Sequence, residues 1–164
     1  MLVYRFAIIA LASLALSNTV WGAGIYGDAI VCKGQLILLR EGSRLVFQST
    51  DSEIQIKLND VIRAGSHSRI LLKSEDYPTL IIGSNTVLHI KHWKRNGKKG
   101  LVKVLYGRMI VTGLSGRQSF NVVTANAIIE SKGSIHLIIA TAERATMVFV
   151  KRRTQEYTKC NLVG

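Results

Sequence analysis

The chain is poor in several residue types that carry specialised chemistry: it has one proline, two cysteines, ten acidic residues and 7% aromatics in 164 residues. No proline-rich or low-complexity linker divides it. Two cysteines cannot build a structural zinc site alone, and no C-x-x-C pair is present. The few carboxylates do not pair at a spacing suited to general acid–base work. H-E-x-x-H, G-x-S-x-G and P-loop patterns are all missing. Of the four histidines, His67, His89, His92 and His136, two lie three apart on a strand-like run. His89 and His92 should therefore face opposite sides and share no metal. These shortages argue against an enzyme: no catalytic, cofactor-binding or metal-binding residue is nominated, and no cofactor is expected. Past the N-terminal region, no segment is apolar for long enough to cross a bilayer as a helix.

What is present begins with a leader. Arg5 precedes an unbroken apolar and small-residue run, Phe6 to Leu16, and Val20-Trp21-Gly22-Ala23 places small residues at a cut. This is the layout of a secretory signal peptide over residues 1–22, cleaved after Gly22 or Ala23. Cleavage after Gly22 leaves 142 residues, one domain, long enough to bury roughly 68–70% of its unfolded surface. A hydrophobic content of 48% and a mean hydropathy of +0.22 agree. Arg5 is the leader's one charge, so the formal net charge of +12 becomes +11 after processing. A pI near 10 outside the cytoplasm points to an anionic partner, or else serves solubility.

From Gly24 onward short aliphatic runs alternate with turns. Ile30 to Arg40 is broken at Lys33-Gly34, and Glu41-Gly42-Ser43 turns the chain into Arg44 to Gln48. In Arg69 to Lys73, Ile70 and Leu72 alternate with outward charges; in Val87 to Lys91, Leu88 and Ile90 oppose His89 and Lys91. Asn96-Gly97 is the strongest hairpin signal. Leu101 to Tyr106, a break at Gly107, and Met109 to Thr112 follow, with further runs to Val150. About a dozen short strands with fourteen glycines predict an all-β, two-sheet sandwich or jelly-roll-like domain over 23–164.

Three segments follow one another in order: Asp60-Val61-Ile62-Arg63-Ala64-Gly65, Ser68-Arg69-Ile70-Leu71-Leu72, and Ile82-Gly83-Ser84-Asn85-Thr86. Together with Leu105-Tyr106-Gly107 and the Phe120 to Thr124 run leading to Gly133-Ser134, their order resembles the FecR-type domain, a bacterial envelope module. The resemblance spans nearly the whole processed chain. It departs at Asn59, where the family carries Gly, and at Asp76-Tyr77-Pro78-Thr79, where it carries an Asp-Gly turn. The family adds closing strands near Cys160 to Gly164, so the resemblance implies a shortened C-terminal end. The motif residues Asp60, Arg63, Gly65, Gly83, Asn85, Gly107 and Gly133 suit turn geometry, with Asp60, Ser84 and Asn85 able to bond their own turn backbone.

Two features remain for function. Lys91-His92-Trp93-Lys94-Arg95-Asn96-Gly97-Lys98-Lys99 sets five cations and an aromatic at a hairpin end. Lys91, Trp93, Lys94, Arg95, Lys98 and Lys99 form a candidate anion-binding set, or a solvated turn that discourages edge association. Lys151-Arg152-Arg153 is a smaller cluster. Cys32 and Cys160 flank the domain and form a candidate disulfide worth on the order of 4–5 kcal/mol in the chain-entropy model, unless Cys32 is simply a buried small hydrophobe. The expected protein is a periplasmic or secreted, non-enzymatic binding domain. Its expected partner is an envelope protein or an anionic surface polymer or lipid, not nucleic acid. The resemblance implies a link to envelope signalling. The alternative is an anionic lipid- or polysaccharide-binding protein using the hairpin at 91–99.

Overall fold

Short aliphatic alternation broken by residues that tolerate positive φ yields strands and no helix among the described residues, which in this computed structural model are 24–49, 52–95, 98–112, 120–131, 135–141 and 145–151. The strands are β1 (Ile25–Lys33), β2 (Gln35–Arg40), β3 (Ser43–Gln48), β4 (Ile54–Lys57), β5 (Val61–Ala64), β6 (Arg69–Lys73), β7 (Thr79–Ile82), β8 (Val87–Arg95), β9 (Lys98–Thr112), β10 (Phe120–Val123), β11 (Ile128–Ser131), β12 (Ile135–Ala140) and β13 (Thr146–Lys151). The leader and the Gly133-Ser134 turn lie outside the described residues.

Hydrogen bonding joins all thirteen strands into one sheet that curls back on itself. One half runs β4-β1-β6-β7-β9-β12-β13 and the other β3-β2-β5-β8-β9-β10-β11. Strand β9 belongs to both: its residues up to Tyr106 pair with β8, and Gly107 to Thr112 pair with β7 and β12. Among the described residues, only the β9–β10 ladder is parallel. The inward side chains of both halves, among them Leu36, Leu38, Ile62, Ile70, Leu72, Leu80, Ile82, Leu88, Ile90 and Met109, form one buried cluster.

The change of half along β9 happens at Gly107, whose φ of 107° is open to glycine and whose missing Cβ leaves room for the Thr86 backbone. The apparent break at Gly107 is thus a corner inside one long strand. A second corner, Gly34 (φ 75°), joins β1 to β2. Each corner is stitched by a buried hydroxyl. Ser68 Oγ accepts the Gln35 N–H at 2.9 Å. Thr86 Oγ1 accepts the Arg108 N–H and donates to the Arg108 carbonyl, both at 3.0 Å.

These hydroxyls end two matching turns, Gly65-Ser66-His67-Ser68 between β5 and β6 and Gly83-Ser84-Asn85-Thr86 between β7 and β8. The third residue of each is left-handed, with φ of 54° at His67 and 53° at Asn85. The first residue of each donates its N–H to the residue after a corner glycine: Gly65 to Gln35 O, Gly83 to Arg108 O. The turns also lock together, through Asn85 N–H to Gly65 O and Ser84 Oγ to Ser68 O. The Ser84 hydroxyl therefore bonds the neighbouring turn, while its carbonyl accepts from Thr86 Oγ1 in its own. The result is a local approximate twofold arrangement that holds the end of the sandwich.

Candidate functional site

Directly opposed residues in an antiparallel ladder share a face, so register decides which side chains meet outside the core. In the β3-β2-β5-β8-β9 half, Leu36, Leu38, Ile62, Leu88 and Val104 point inward and are fully buried. Their neighbours point outward. One outward row runs Arg44, Leu39, Val61, His89, Lys103. The next runs Val46, Ile37, Arg63, Val87. Arg44, Arg63 and Lys91 are exposed. Aliphatic residues lie between the cations, with Leu39 42% and Val46 46% exposed on an edge strand pair.

The electrostatics of this face can be read at His89. Burial is the main cause that lowers its pKa below the usual imidazole value, and the ammonium groups of Lys91 and Lys103 lower it further. Two cationic side chains, Lys91 and Lys103, therefore lie near His89.

The β8–β9 hairpin extends this half-sheet. Register opposes Trp93 to Gly100, Lys94 to Lys99 and Arg95 to Lys98, with an irregularity between Ile90 and Trp93. That register leaves a two-residue connection, Asn96-Gly97, which lies outside the described residues. The backbone of Trp93, Lys94, Arg95, Lys98 and Lys99 is in the ladder; their side chains lie outside the described set. Lys91 and His92 are exposed. The backbone of the motif thus continues the ladder of β8, the strand that carries His89 and Lys91. Arg44, Arg63 and Lys103 were missed as members of the outer face because cross-strand register is not written in local spacing.

The other candidates serve the fold. Asp60 is 1% exposed, and its carboxylate accepts Arg40 Nε at 2.8 Å, Arg40 Nη2 at 2.7 Å and its own turn's Lys57 N–H at 2.7 Å. Arg40 also donates to the Gln55 carbonyl. The carboxylate draws the Arg40 pKa upward. Asn59 has a φ of 73°, a conformation asparagine accepts more readily than other side-chain-bearing residues. Gly65 and Gly83 open the matched turns. Cys32 is half-buried and disulfide-bonded; Cys160, Arg152, Arg153 and Gly133 lie outside the described residues.

His136 is buried on the core side of β12, and its Nδ1 has no hydrogen-bond partner. Burial lowers its pKa. Tyr26 stacks on Tyr77 with ring centroids 5.1 Å apart, and burial pushes its phenol pKa well above the ordinary value. No group of three or more metal-ligating side chains occurs among the described residues, and no helix among them is long and apolar enough to cross a membrane. Comparison with protein-family models, curated proteins and solved structures finds no match to this chain.

Proposed function

We propose that the chain is an exported, non-enzymatic binding module of the bacterial envelope, akin to the FecR-type domain, that recognises a partner bearing phosphates or carboxylates. The observation that carries this reading is the cation-bearing, aliphatic-studded outer face around His89, on the strand that continues into the hairpin at 91–99. Separated cations on a rigid sheet suit a repeating anionic polymer or an acidic protein surface better than one small anion. Arginines at 44 and 63 offer two-pronged recognition of such groups, and the lysines add point charge. The leader supports a periplasmic or secreted location, where such polymers and acidic partners occur.

The test is binding of lipopolysaccharide and of acidic phospholipid vesicles to the processed chain across a salt series. Exposed charges are screened beyond about 8–10 Å at physiological salt, so affinity should fall steeply as salt rises. Replacing Lys94, Arg95, Lys98 and Lys99 together by Ser should weaken binding at least about tenfold, since each tenfold step is about 1.4 kcal/mol and several charge contacts are lost. Arg44→Ser with Arg63→Ser should weaken it further. Binding that ignores both salt and these substitutions sinks the proposal.

A further inference from the structure

A sheet ends at a strand with a neighbour on one side only, and four strands end this sheet among the described residues: β3, β4, β11 and β13. Strands β4 and β11 are four residues long. Strand β13 has six, and its exposed run Met147 to Val150 is uncharged, so it sets no polarity on a partner. Strand β3 also has six and begins the cation-bearing rows of the outer face. Exposed edges are commonly blunted by proline, lysine or an inward-pointing charge. Ser43 to Gln48 has none of these, and its one charge, Arg44, points outward beside Leu39.

Register decides which backbone groups of β3 are open. The β2–β3 connection is Glu41-Gly42, with φ of 49° and 79°, the two positive values of a two-residue hairpin turn. Such a turn makes Arg40 and Ser43 a hydrogen-bonded pair, and bonded and non-bonded pairs then alternate along the ladder. Ser43, Leu45 and Phe47 therefore direct their N–H and C=O groups at β2. Arg44, Val46 and Gln48 direct theirs at the open edge, and all three are exposed. Side chains sort in the same way. Arg44, Val46 and Gln48 face outward, whereas Leu45 and Phe47 lie opposite the buried Leu38 and Leu36 and face inward. Leu45 is nevertheless 42% exposed, with no strand beyond it among the described residues.

We propose that this edge receives an extended segment of a partner protein as an added antiparallel strand, with a glutamate or aspartate opposite Arg44 and aliphatic residues opposite Leu45, Val46 and Phe47. Its backbone completes the hydrogen bonds of Arg44, Val46 and Gln48 and supplies affinity, while its alternating side chains supply the choice of sequence. Directly opposed Cβ atoms lie about 4.5–5.5 Å apart, so the carboxylate meets the Arg44 guanidinium and can take both its prongs. The inward aliphatic residues continue the core layer past Leu45, and the outward one covers Val46. This inference rests on the anionic partner proposed above and narrows it to a peptide strand.

The probe is a fluorescein-labelled peptide whose central residues are Thr-Val-Val-Leu-Glu, flanked by Gly and Ser and titrated into the processed chain by fluorescence anisotropy. N-methylation of its Glu or its second Val, the residues opposite Arg44 and Val46, should weaken binding at least about tenfold. N-methylation of the Leu between them should change little, because that N–H points away from β3. The amides of Arg44, Val46 and Gln48 should gain protection from deuterium exchange when the peptide binds. Arg44→Glu should lose this peptide and take its counterpart with Lys in place of Glu. Val46→Pro removes an edge donor without breaking a ladder bond, so it should lose both peptides with an unchanged far-ultraviolet circular dichroism spectrum. Equal losses from methylation at either kind of position, or protection on another strand, overturn strand addition whether or not Val46→Pro folds. A peptide that fails to bind a chain still taking lipopolysaccharide or acidic vesicles in a salt-dependent way overturns this inference and spares the broader one. Loss of all these ligands alike sinks both.

Discussion

Asp60 and Arg40 illustrate how much one buried charge can decide. The carboxylate is nearly sealed from water and has both oxygens occupied, while Arg40 is 23% exposed. The two ends of the pair are thus not equivalent. Removing the arginine strands a buried carboxylate without its main partner, which costs more than the pair contributed. Removing the charge from Asp60 leaves an amide that can still hydrogen-bond, and leaves Arg40 able to reach solvent. Arg40→Met should therefore cost about 3 kcal/mol and Asp60→Asn only about 1–2 kcal/mol. Denaturant midpoints with unchanged slopes measure both; equal losses would show that the asymmetry of burial does not matter. Asn59, next door, carries no such charge. Its left-handed backbone, with a φ of 73°, is one that asparagine accepts more readily than other side-chain-bearing residues.

Among the elements, β9 ties the two halves of the sheet together, and its corner has a sharper requirement than an ordinary turn. Gly107 and Gly42 both have positive φ, 107° and 79°, yet a Cβ at Gly42 meets nothing within 4 Å. At Gly107 it would overlap Thr86 backbone atoms that cannot move without opening the Arg108 hydrogen bonds. Gly42→Ala should cost about 1 kcal/mol from backbone strain alone, and Gly107→Ala at least about 3 kcal/mol. Thermal midpoints of the two variants separate strain from contact, and similar values would remove the corner argument. Individual strands such as β6 and β8, and the turn at Glu41-Gly42, were legible in the sequence because alternation and turn chemistry are local. The fusion of Leu101–Tyr106 with Met109–Thr112 was not, since a glycine that bends a strand looks the same as one that ends it. Leu71, on the same side of β6 as Arg69 and Lys73, is nevertheless only 3% exposed. Its burial depends on what lies over β6, which a period of two cannot express. The basic face was half legible: the hairpin's charges are contiguous, whereas Arg44, Arg63 and Lys103 come together only through register.

At the scale of the whole molecule, charge and burial act in the same direction on acidification. The chain carries a formal net charge of +12. Two histidines, His89 and His136, have folded-state pKa values lowered mainly by burial. In the unfolded chain a histidine takes up its proton near pH 6.5. Between that value and the lowered folded one, the unfolded state binds more protons, so stability rises with pH across this window. The stabilisation from keeping both imidazoles neutral is fully present above about pH 6.5 and is lost as pH falls below it. Each histidine can contribute a slope of at most about 1.4 kcal/mol per pH unit. Added positive charge on an already cationic body works in the same sense. Urea midpoints should therefore be level from pH 8 to 7 and fall from pH 6.5 to 5.5, before carboxylates with ordinary pKa values titrate. His136→Leu should remove much of the fall, because it replaces a buried ring with an unpartnered Nδ1 by an apolar side chain of fitting size. His89→Gln in the same chain should remove most of the rest. A wild-type midpoint that stays level down to pH 5.5, or a double variant that still falls as steeply, would show that these two imidazoles do not govern the acid limb.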